Sequence, residues 1–255
     1  MAHRRAPKNT APASPRAGVR AQAPLTPEAV AAHFPPGLAA ETPAPLLAAL
    51  PERLGRYLDL LCAWNGAINL TGGRDRADIL TRLIPDSFHL AAFLRSAPLT
   101  ATALGAGAPR VWDLGAGAGL PGIPLRMVWE RGDYTLVEVR EKRALFLANA
   151  LAALGLPRTG VFRGAAERLF AAEPPGGDAG ADCIVSRAFL PWPKLLDFCR
   201  PALRPGGVII IFASAPCGDL PAPWRSVSQA DYSVAGSRRW LWALGRQPGA
   251  EAAHD

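Results

Sequence analysis

The sequence predicts an α/β fold, a mostly parallel sheet of seven strands wound with helices, and three observations carry that prediction. From residue 111 onward, short apolar runs at residues 111–114, 134–139, 160–163, 183–186 and 208–212 alternate with helical stretches near 120–129, 142–154 and 192–203. Alternation at this spacing implies right-handed strand–helix–strand crossovers and parallel pairing. The first run ends in Asp113 and passes into Gly115-Ala116-Gly117-Ala118-Gly119-Leu120-Pro121-Gly122, a glycine-rich turn of the kind that hands a parallel strand over to a helix. Val208-Ile209-Ile210-Ile211-Phe212 is apolar throughout, as a strand covered on both faces must be. Beyond it, residues 225–235 and 239–244 are β-like, are split by Gly236, and read as an antiparallel hairpin closing the sheet.

The chain ahead of the sheet divides into two. Residues 1–40 are rich in Ala and Pro, with Arg and little periodicity. That composition cannot offset its ordering entropy, so a disordered basic tail is expected. Residues 41–108 are expected to be a helical extension and linker. Leu50, Leu54, Leu58, Leu61 and Trp64 recur at three or four residues and form one apolar stripe, which Thr71-Gly72-Gly73 stops. Asp75 is placed to cap a further helical stretch, and Pro85 divides that stretch into two short helices. Residues 109–246 then carry the sheet, and 247–255 are expected to be a flexible end.

Of the 255 residues, 49% are apolar and 19% charged, enough to bury a proper core. No run of about 18 uninterrupted apolar residues occurs, so no membrane span is expected. Arg4-Arg5 lacks the hydrophobic stretch that follows in a secretory signal. The four cysteines, Cys62, Cys183, Cys199 and Cys217, are scattered without C-x-x-C or paired histidines. That points away from zinc or a disulfide framework and towards a reduced, cytoplasmic setting. The net charge is +7, and Arg4, Arg5, Lys8, Arg16 and Arg20 all precede the first acid, Glu28. Such a balance admits a polyanionic partner without requiring one.

The glycines fit two patterns. Gly117, Gly119 and Gly122 match the G-x-G-x-x-G of dinucleotide sites, while Gly115, Gly117 and Gly119 match a G-x-G-x-G frequent at S-adenosylmethionine sites. Under either pattern the missing Cβ lets the backbone approach a ligand, and the helix after Pro121 is expected to aim its free N–H groups at it. Asp113 can order the turn by accepting its N–H groups, or reach a ligand through water. Glu138 ends the second run and is placed to accept both vicinal hydroxyls of a ribose; a helix cap before Arg140 is the alternative. Ala166-Glu167 follows the third run, where a backbone N–H and a carboxylate suit an adenine edge, although Glu167 also suits a surface helix. Arg187, in Ser186-Arg187-Ala188 after the fourth run, stays protonated and so cannot be a base. It can hold a phosphate, a base or a carboxylate, or pair with a neighbouring acid. Lys142-Arg143 reads as a solvated helix face, or as positive charge beside the expected cleft, which suits RNA. Nothing in the sequence pairs His89 with a Cys or Asp, and no triad, P-loop or metal cluster is legible.

Taken together, residues 58–212 resemble the glucose-inhibited division B proteins, which are 16S ribosomal RNA guanine-N7 methyltransferases. The resemblance rests on Trp64-Asn65 with Asn69-Leu70-Thr71, on Asp86-Ser87, and on the glycine stretch closing in Pro121-Gly122-Ile123-Pro124. Lys142-Arg143 with Phe146-Leu147, Ala166-Glu167, Ser186-Arg187-Ala188 and Pro205-Gly206-Gly207 complete it. It implies a class I S-adenosylmethionine-dependent methyltransferase fold, Rossmann-like, with no metal. It also implies S-adenosylmethionine held at the positions that here are Gly115, Leu120, Ala166, Glu167 and Arg187. The implied partner is 16S ribosomal RNA or a small-subunit precursor, met by a monomer. Joined to the residue argument, the expected cofactor set is Asp113, Gly115, Gly117, Leu120, Glu138, Ala166, Glu167 and Arg187. Arg187 is the catalytic candidate, placing the acceptor or the methionine carboxylate with no general base. The sequence departs from the family at Leu120, where Phe is usual, at Leu83, where His is usual, and at Ala213-Ser214, where Lys-Gly is common. Rival readings are a non-catalytic ribosome-associated RNA-binding factor, an NAD-dependent dehydrogenase, and a methyltransferase for another RNA or a small molecule.

Overall fold

Strand pairing sets the frame. The computed structural model describes residues 23–105, 107–172 and 180–247. Among these, β1 (Arg110–Leu114), β2 (Asp133–Glu138), β3 (Thr159–Arg163), β4 (Ala181–Ser186) and β5 (Leu203–Ala213) run parallel, and β6 (Trp224–Val234) and β7 (Ser237–Arg246) join antiparallel. They form one seven-stranded sheet in the order β3-β2-β1-β4-β5-β7-β6. β1 bonds to β2 on one side and to β4 on the other, so the sheet grows in opposite directions from that point. Ligands of open α/β sheets collect outside the carboxyl ends of the strands at such a switch. The β6–β7 turn is two residues, Ala235 (φ 48°) and Gly236 (φ 77°), both left-handed as the twist of a tight hairpin requires.

Alternation along β1 sends side chains to two cores. Val111 joins an apolar cluster with Tyr134, Leu136, Ile123 of α7 (Gly122–Arg126) and Phe146 of α8 (Glu141–Leu154). Trp112 and Leu114 join another with Leu169 of α9 (Ala166–Ala172) and Leu195 of α10 (Trp192–Cys199). β4 is buried at all six positions, as a strand between two helical layers must be. The fold class read from the sequence is the observed one, down to the closing hairpin.

Two of the expected helices need correction. The helix placed at 120–129 is only α7, five residues long. Pro121 and Pro124 bring no N–H to it, and the chain after it is held differently. Arg126, 0% exposed, donates to the carbonyls of Trp129, Glu130, Arg131 and Gly132 and so replaces the helical ladder with a guanidinium. Likewise 192–203 divides into α10, a short 3-10 turn (Arg200–Ala202) and the first residue of β5.

The helical extension starts earlier than residue 41. Thr26 caps α1 (Pro27–Ala31), and α2 (Leu38–Glu41) follows. Val30 is 1% exposed, Leu38 0%, and the Phe34 ring meets Phe88 edge-on at 4.8 Å. These three apolar residues anchor a stretch whose overall composition argues for disorder. The remainder of the expected tail, residues 1–22, lies outside the described residues, as do 248–255. α3 (Ala44–Ile68) carries the predicted stripe inward, with Leu50, Leu54, Leu58 and Leu61 buried. Asp75 caps α4 (Arg76–Arg82) by accepting the Asp78 N–H at 2.8 Å, and α5 (Ile84–Arg95) restarts with Pro85 in its first turn. A short α6 (Ala97–Thr100) precedes β1. Among the described residues no helix is long and apolar enough to cross a membrane.

Candidate active site at the carboxyl edge of the sheet

A cavity of about 400 Å³ opens at the switch point, walled by the glycine turn, the ends of β2 and β3, and the segment after β4. Of the residues singled out from the sequence, Gly115, Glu138, Ala166 and Glu167 line it, with Arg143, Ala188 and Phe189 beside them. Gly115 (φ 71°) is left-handed, and a Cβ there would stand 2.8 Å from the Phe189 ring. Phe189 therefore packs onto the bare backbone as the end wall, and the hollow stays open.

The turn is held by its own chain. Gly115 and Ala116 both donate to the Val137 carbonyl at 3.0 Å, and Gly119 donates to Ala116 at 2.7 Å. Gly117 donates to Glu138 Oε2 at 3.0 Å, while Glu138 Oε1 accepts the Arg140 N–H at 2.8 Å. Glu138 is 5% exposed, and it fastens the turn to the start of α8. Of its two sequence readings, the cap before α8 is the one the structure contains; Glu138 also lines the cavity.

Asp113 lies behind the turn, outside the cavity wall. Its Oδ2 accepts the Tyr134 hydroxyl at 3.1 Å, and its carboxyl accepts the Gly122 N–H. Burial raises its pKa to about 7, against the lowering influence of Tyr134, Arg187 and the Gly122 amide. A Cβ at Gly122 would meet Asp113 Oδ2 at 2.6 Å, so only glycine fits over the carboxyl. This arrangement also corrects the expected helix-end site. The Gly122 amide is taken by Asp113, and α7 is a single short turn, so it aims no dipole into the hollow.

Arg187 is drawn aside. Its Nη2 pairs with Asp86 Oδ2 at 3.1 Å, with the Arg187 side chain 25% exposed and that of Asp86 2%. Of the alternatives read from the sequence, the pairing with an acid is the one the structure contains, and its neighbour Ala188 (φ 56°) turns the chain back to the cavity. Leu120 is half-buried against the core and does not line the cavity. A second hollow, of about 630 Å³, shares Arg140 and Arg143 with the first and adds Lys142 and Asn69.

Sequence reasoning missed the braces. Tyr57, fully buried on α3, donates its hydroxyl to the Ala118 carbonyl at 2.7 Å. It sits in the same apolar stripe as Leu54 and Leu61, and a buried tyrosine hydroxyl in such a stripe needs a partner. Arg143 donates to the Asn69 carbonyl at 3.1 Å, and Asn65 clasps the turn below by accepting the Thr71 N–H at 2.8 Å and donating to the Gly73 carbonyl at 3.2 Å. The N-terminal helices therefore hold the glycine turn from outside the sheet.

The donor set limits what the cavity can take. Two carboxylates, Glu138 and Glu167, stand in its wall, and the four glycine-turn amides above are already paired. Arg140 and Arg143 stand in the same wall and balance that charge, so a phosphate would be met by guanidiniums and not by the amides of the turn. A neutral or cationic nucleoside meets acceptors for its ribose hydroxyls and for an exocyclic amino group.

Residues 51–215, which include most of α3, the glycine turn and the whole cavity, match the family model described as rRNA small subunit methyltransferase G. A protein named Ribosomal RNA small subunit methyltransferase G from Nitratidesulfovibrio vulgaris is 47% identical over 194 residues, spanning 76% of this chain and 84% of its own. Its namesake from Oleidesulfovibrio alaskensis is 43% identical over 199 residues, spanning 74% and 82%. That from Stenotrophomonas maltophilia is 35% identical over 215 residues, spanning 82% and 91%. An O-methyltransferase from Bacillus cereus, solved in complex with SAH, shares the fold at TM-score 0.51 and 15% identity, covering 75% of this chain and 91% of that one. The residues that build the hollow are thus the ones the family model spans, and the chain belongs to the rRNA small subunit methyltransferase G family.

Proposed function

We propose that this protein transfers the methyl group of S-adenosylmethionine to N7 of a guanine in 16S ribosomal RNA. The observation that carries the reading is the cavity at the β1–β4 switch, open between Gly115 and Glu138 within the segment that defines the family. Glu138 accepts the ribose hydroxyls, Ala166 and Glu167 meet the adenine edge, and Gly115 and Gly117 give close backbone approach. Asp113 holds the turn in shape from behind and does not touch the cofactor. When bound, S-adenosylmethionine supplies an electrophilic methyl on a sulfonium. Guanine N7 carries a free lone pair, so no proton has to leave and no general base is needed. What the chain provides is alignment, a contribution of several kcal/mol in well-oriented reactions.

Arg187, paired with Asp86 and next in the chain to Ala188 of the cavity wall, places the acceptor base or the methionine carboxylate. Residues 109–246 form the catalytic body and the helices before them its brace. In this reading the enzyme works as a monomer in the cytoplasm on small-subunit RNA or a precursor of the subunit. Arg140, Lys142 and Arg143 beside the second hollow supply positive charge for that RNA. The test is a modification map of small-subunit RNA with and without the protein, together with calorimetric titration against S-adenosylmethionine, S-adenosylhomocysteine and NAD. A restored N7-methylguanine and tight binding of the first two ligands are expected. Binding of NAD alone would favour a dehydrogenase, and RNA binding without any methylation a non-catalytic factor.

A further inference from the structure

The carboxylate of Asp86 is divided between two parts of the molecule. Its Oδ2 takes Arg187 Nη2 at 3.1 Å, on the segment that returns to the cavity. Its Oδ1 takes the Tyr232 hydroxyl at 2.9 Å and Arg239 Nη1 at 2.6 Å, both from the terminal hairpin. Tyr232 and Arg239 are directly opposite in the β6–β7 register, so the hairpin presents them as one cross-strand pair on one face. Each is further held: the Tyr232 ring stacks on His89 at 4.2 Å, and Arg239 also donates to the Arg82 carbonyl at 3.3 Å. Arg238, the next residue along, points to the opposite face as strand alternation demands. There it pairs with Asp231 at 2.8 Å and lies over the Trp240 ring at 5.0 Å.

A partly exposed guanidinium bonded to a free carboxylate samples many geometries. Asp86 is not free: it is 1% exposed, and donors on Oδ1 leave its other oxygen one direction to offer. We propose that Tyr232 and Arg239 are positioning residues, which fix Asp86 so that it sets the direction of the Arg187 guanidinium, one residue before Ala188 of the cavity wall. The proposal rests on the reading above in which Arg187 meets the acceptor base or the methionine carboxylate. Two guanidiniums share one carboxylate, so the cluster keeps a net positive charge where an anionic group would arrive.

The full-length protein is compared with Arg239→Met, Arg239→Lys, Tyr232→Phe and Arg238→Met in steady-state methylation of small-subunit RNA. Arg239→Met is expected to lower kcat/KM by about tenfold. Arg239→Lys should recover most of that loss, and Tyr232→Phe, which keeps the ring on His89, should lose about threefold. Arg238→Met should stay within about twofold of wild type. In an Arg187→Met background, Arg239→Met should add nothing, because its effect passes through Arg187. Additive losses in that pair, or equal losses from Arg238→Met and Arg239→Met, would overturn the proposal. A second readout needs no activity: the side-chain Nε–H resonance of Arg187 should show an ordered guanidinium in wild type and a mobile one in Arg239→Met. An Arg187 as mobile in wild type as in the variant, or as ordered in the variant as in wild type, also overturns it. A wild type that orders Arg187 but neither binds S-adenosylhomocysteine nor methylates RNA would sink the methyltransferase reading and leave the positioning intact.

Discussion

Asp113, next to last in β1, has 1% of its surface exposed, and Glu138 ends the neighbouring β2 with 5%. Both acids touch the glycine turn, from opposite sides. Asp113 lies beneath it among Tyr134, Leu136 and Gly122, where burial raises its pKa to about 7. Glu138 lies at its open side, where two backbone N–H groups converge on the carboxylate and the cavity begins. Burial alone therefore does not mark a cavity-facing acid in this fold. What separates the two is the company kept: Asp113 has one hydroxyl and one amide in an apolar bed, and Glu138 has amides from both the turn and the next helix.

The largest test of that contrast is Glu138→Ala. It strips the acceptor from the Gly117 and Arg140 amides and from the ribose, and S-adenosylhomocysteine affinity should fall by about 100-fold, close to 3 kcal/mol, in calorimetric titration. An affinity within about twofold of wild type would erase the distinction between the acids. Next is Gly122→Ala, whose Cβ would stand 2.6 Å from both Asp113 Oδ2 and Leu136 Cδ2 and 2.9 Å from Tyr134 Cε1. Overpacking of that kind should lower stability by about 2 kcal/mol in urea unfolding, although no ligand contact is lost.

Asp113 itself gives a pH signature. Its folded pKa of about 7 lies above the ordinary value of 3.8, so the folded state keeps a proton that the unfolded state gives up. Its contribution to stability is whole below pH 3.8 and declines as pH rises towards 7. The slope is at most about 1.4 kcal/mol per pH unit. Asp113→Asn should remove that decline, so that the gap between variant and wild type in urea midpoints differs at pH 5 and pH 8. Parallel midpoints at the two pH values would show that Asp113 stays ionised in the fold. The smallest effect is expected of Glu167→Ala. Glu167 is exposed at the cavity wall, so S-adenosylhomocysteine affinity should drop by a few-fold, about 1 kcal/mol, with the unfolding midpoint unchanged.

The sheet was legible because its signals are local and redundant. Each parallel strand except the edge strand β3 carries an apolar run, and the hairpin is announced by Gly236 between two β-like stretches. The cavity wall was legible at Gly115, Glu138, Ala166 and Glu167 because strand ends in this fold converge by topology. Neither Asp113 nor Leu120 could be assigned a side of the turn from spacing alone, since the turn's handedness decides it. The partner of Arg187 was out of reach for another reason. Asp86 and Arg239 come from α5 and from β7, far from Arg187 in the chain, and only the closed sheet brings them within hydrogen-bond range. The start of the helical extension was misplaced because three apolar side chains, Val30, Phe34 and Leu38, outweigh an Ala/Pro-rich background once a core exists to receive them.

Arg126 has a consequence at the other rim of the sheet. Its guanidinium, 0% exposed and with its pKa lowered by burial to about 10, is still a cation at neutral pH. Among the described residues it hydrogen-bonds to no carboxylate; its donors go to the Thr159 hydroxyl and to the carbonyls of Trp129, Glu130, Arg131, Gly132 and Pro157, with the charges of Glu130 and Asp133 nearby. One side chain thereby rivets the entrances of β2 and β3, at the end of each strand remote from the hollow. Mutational drift or loop grafting at the working rim can then proceed over a foundation it does not disturb, whereas a neutral residue at 126 would loosen both strands at once while leaving every ligand-facing group untouched.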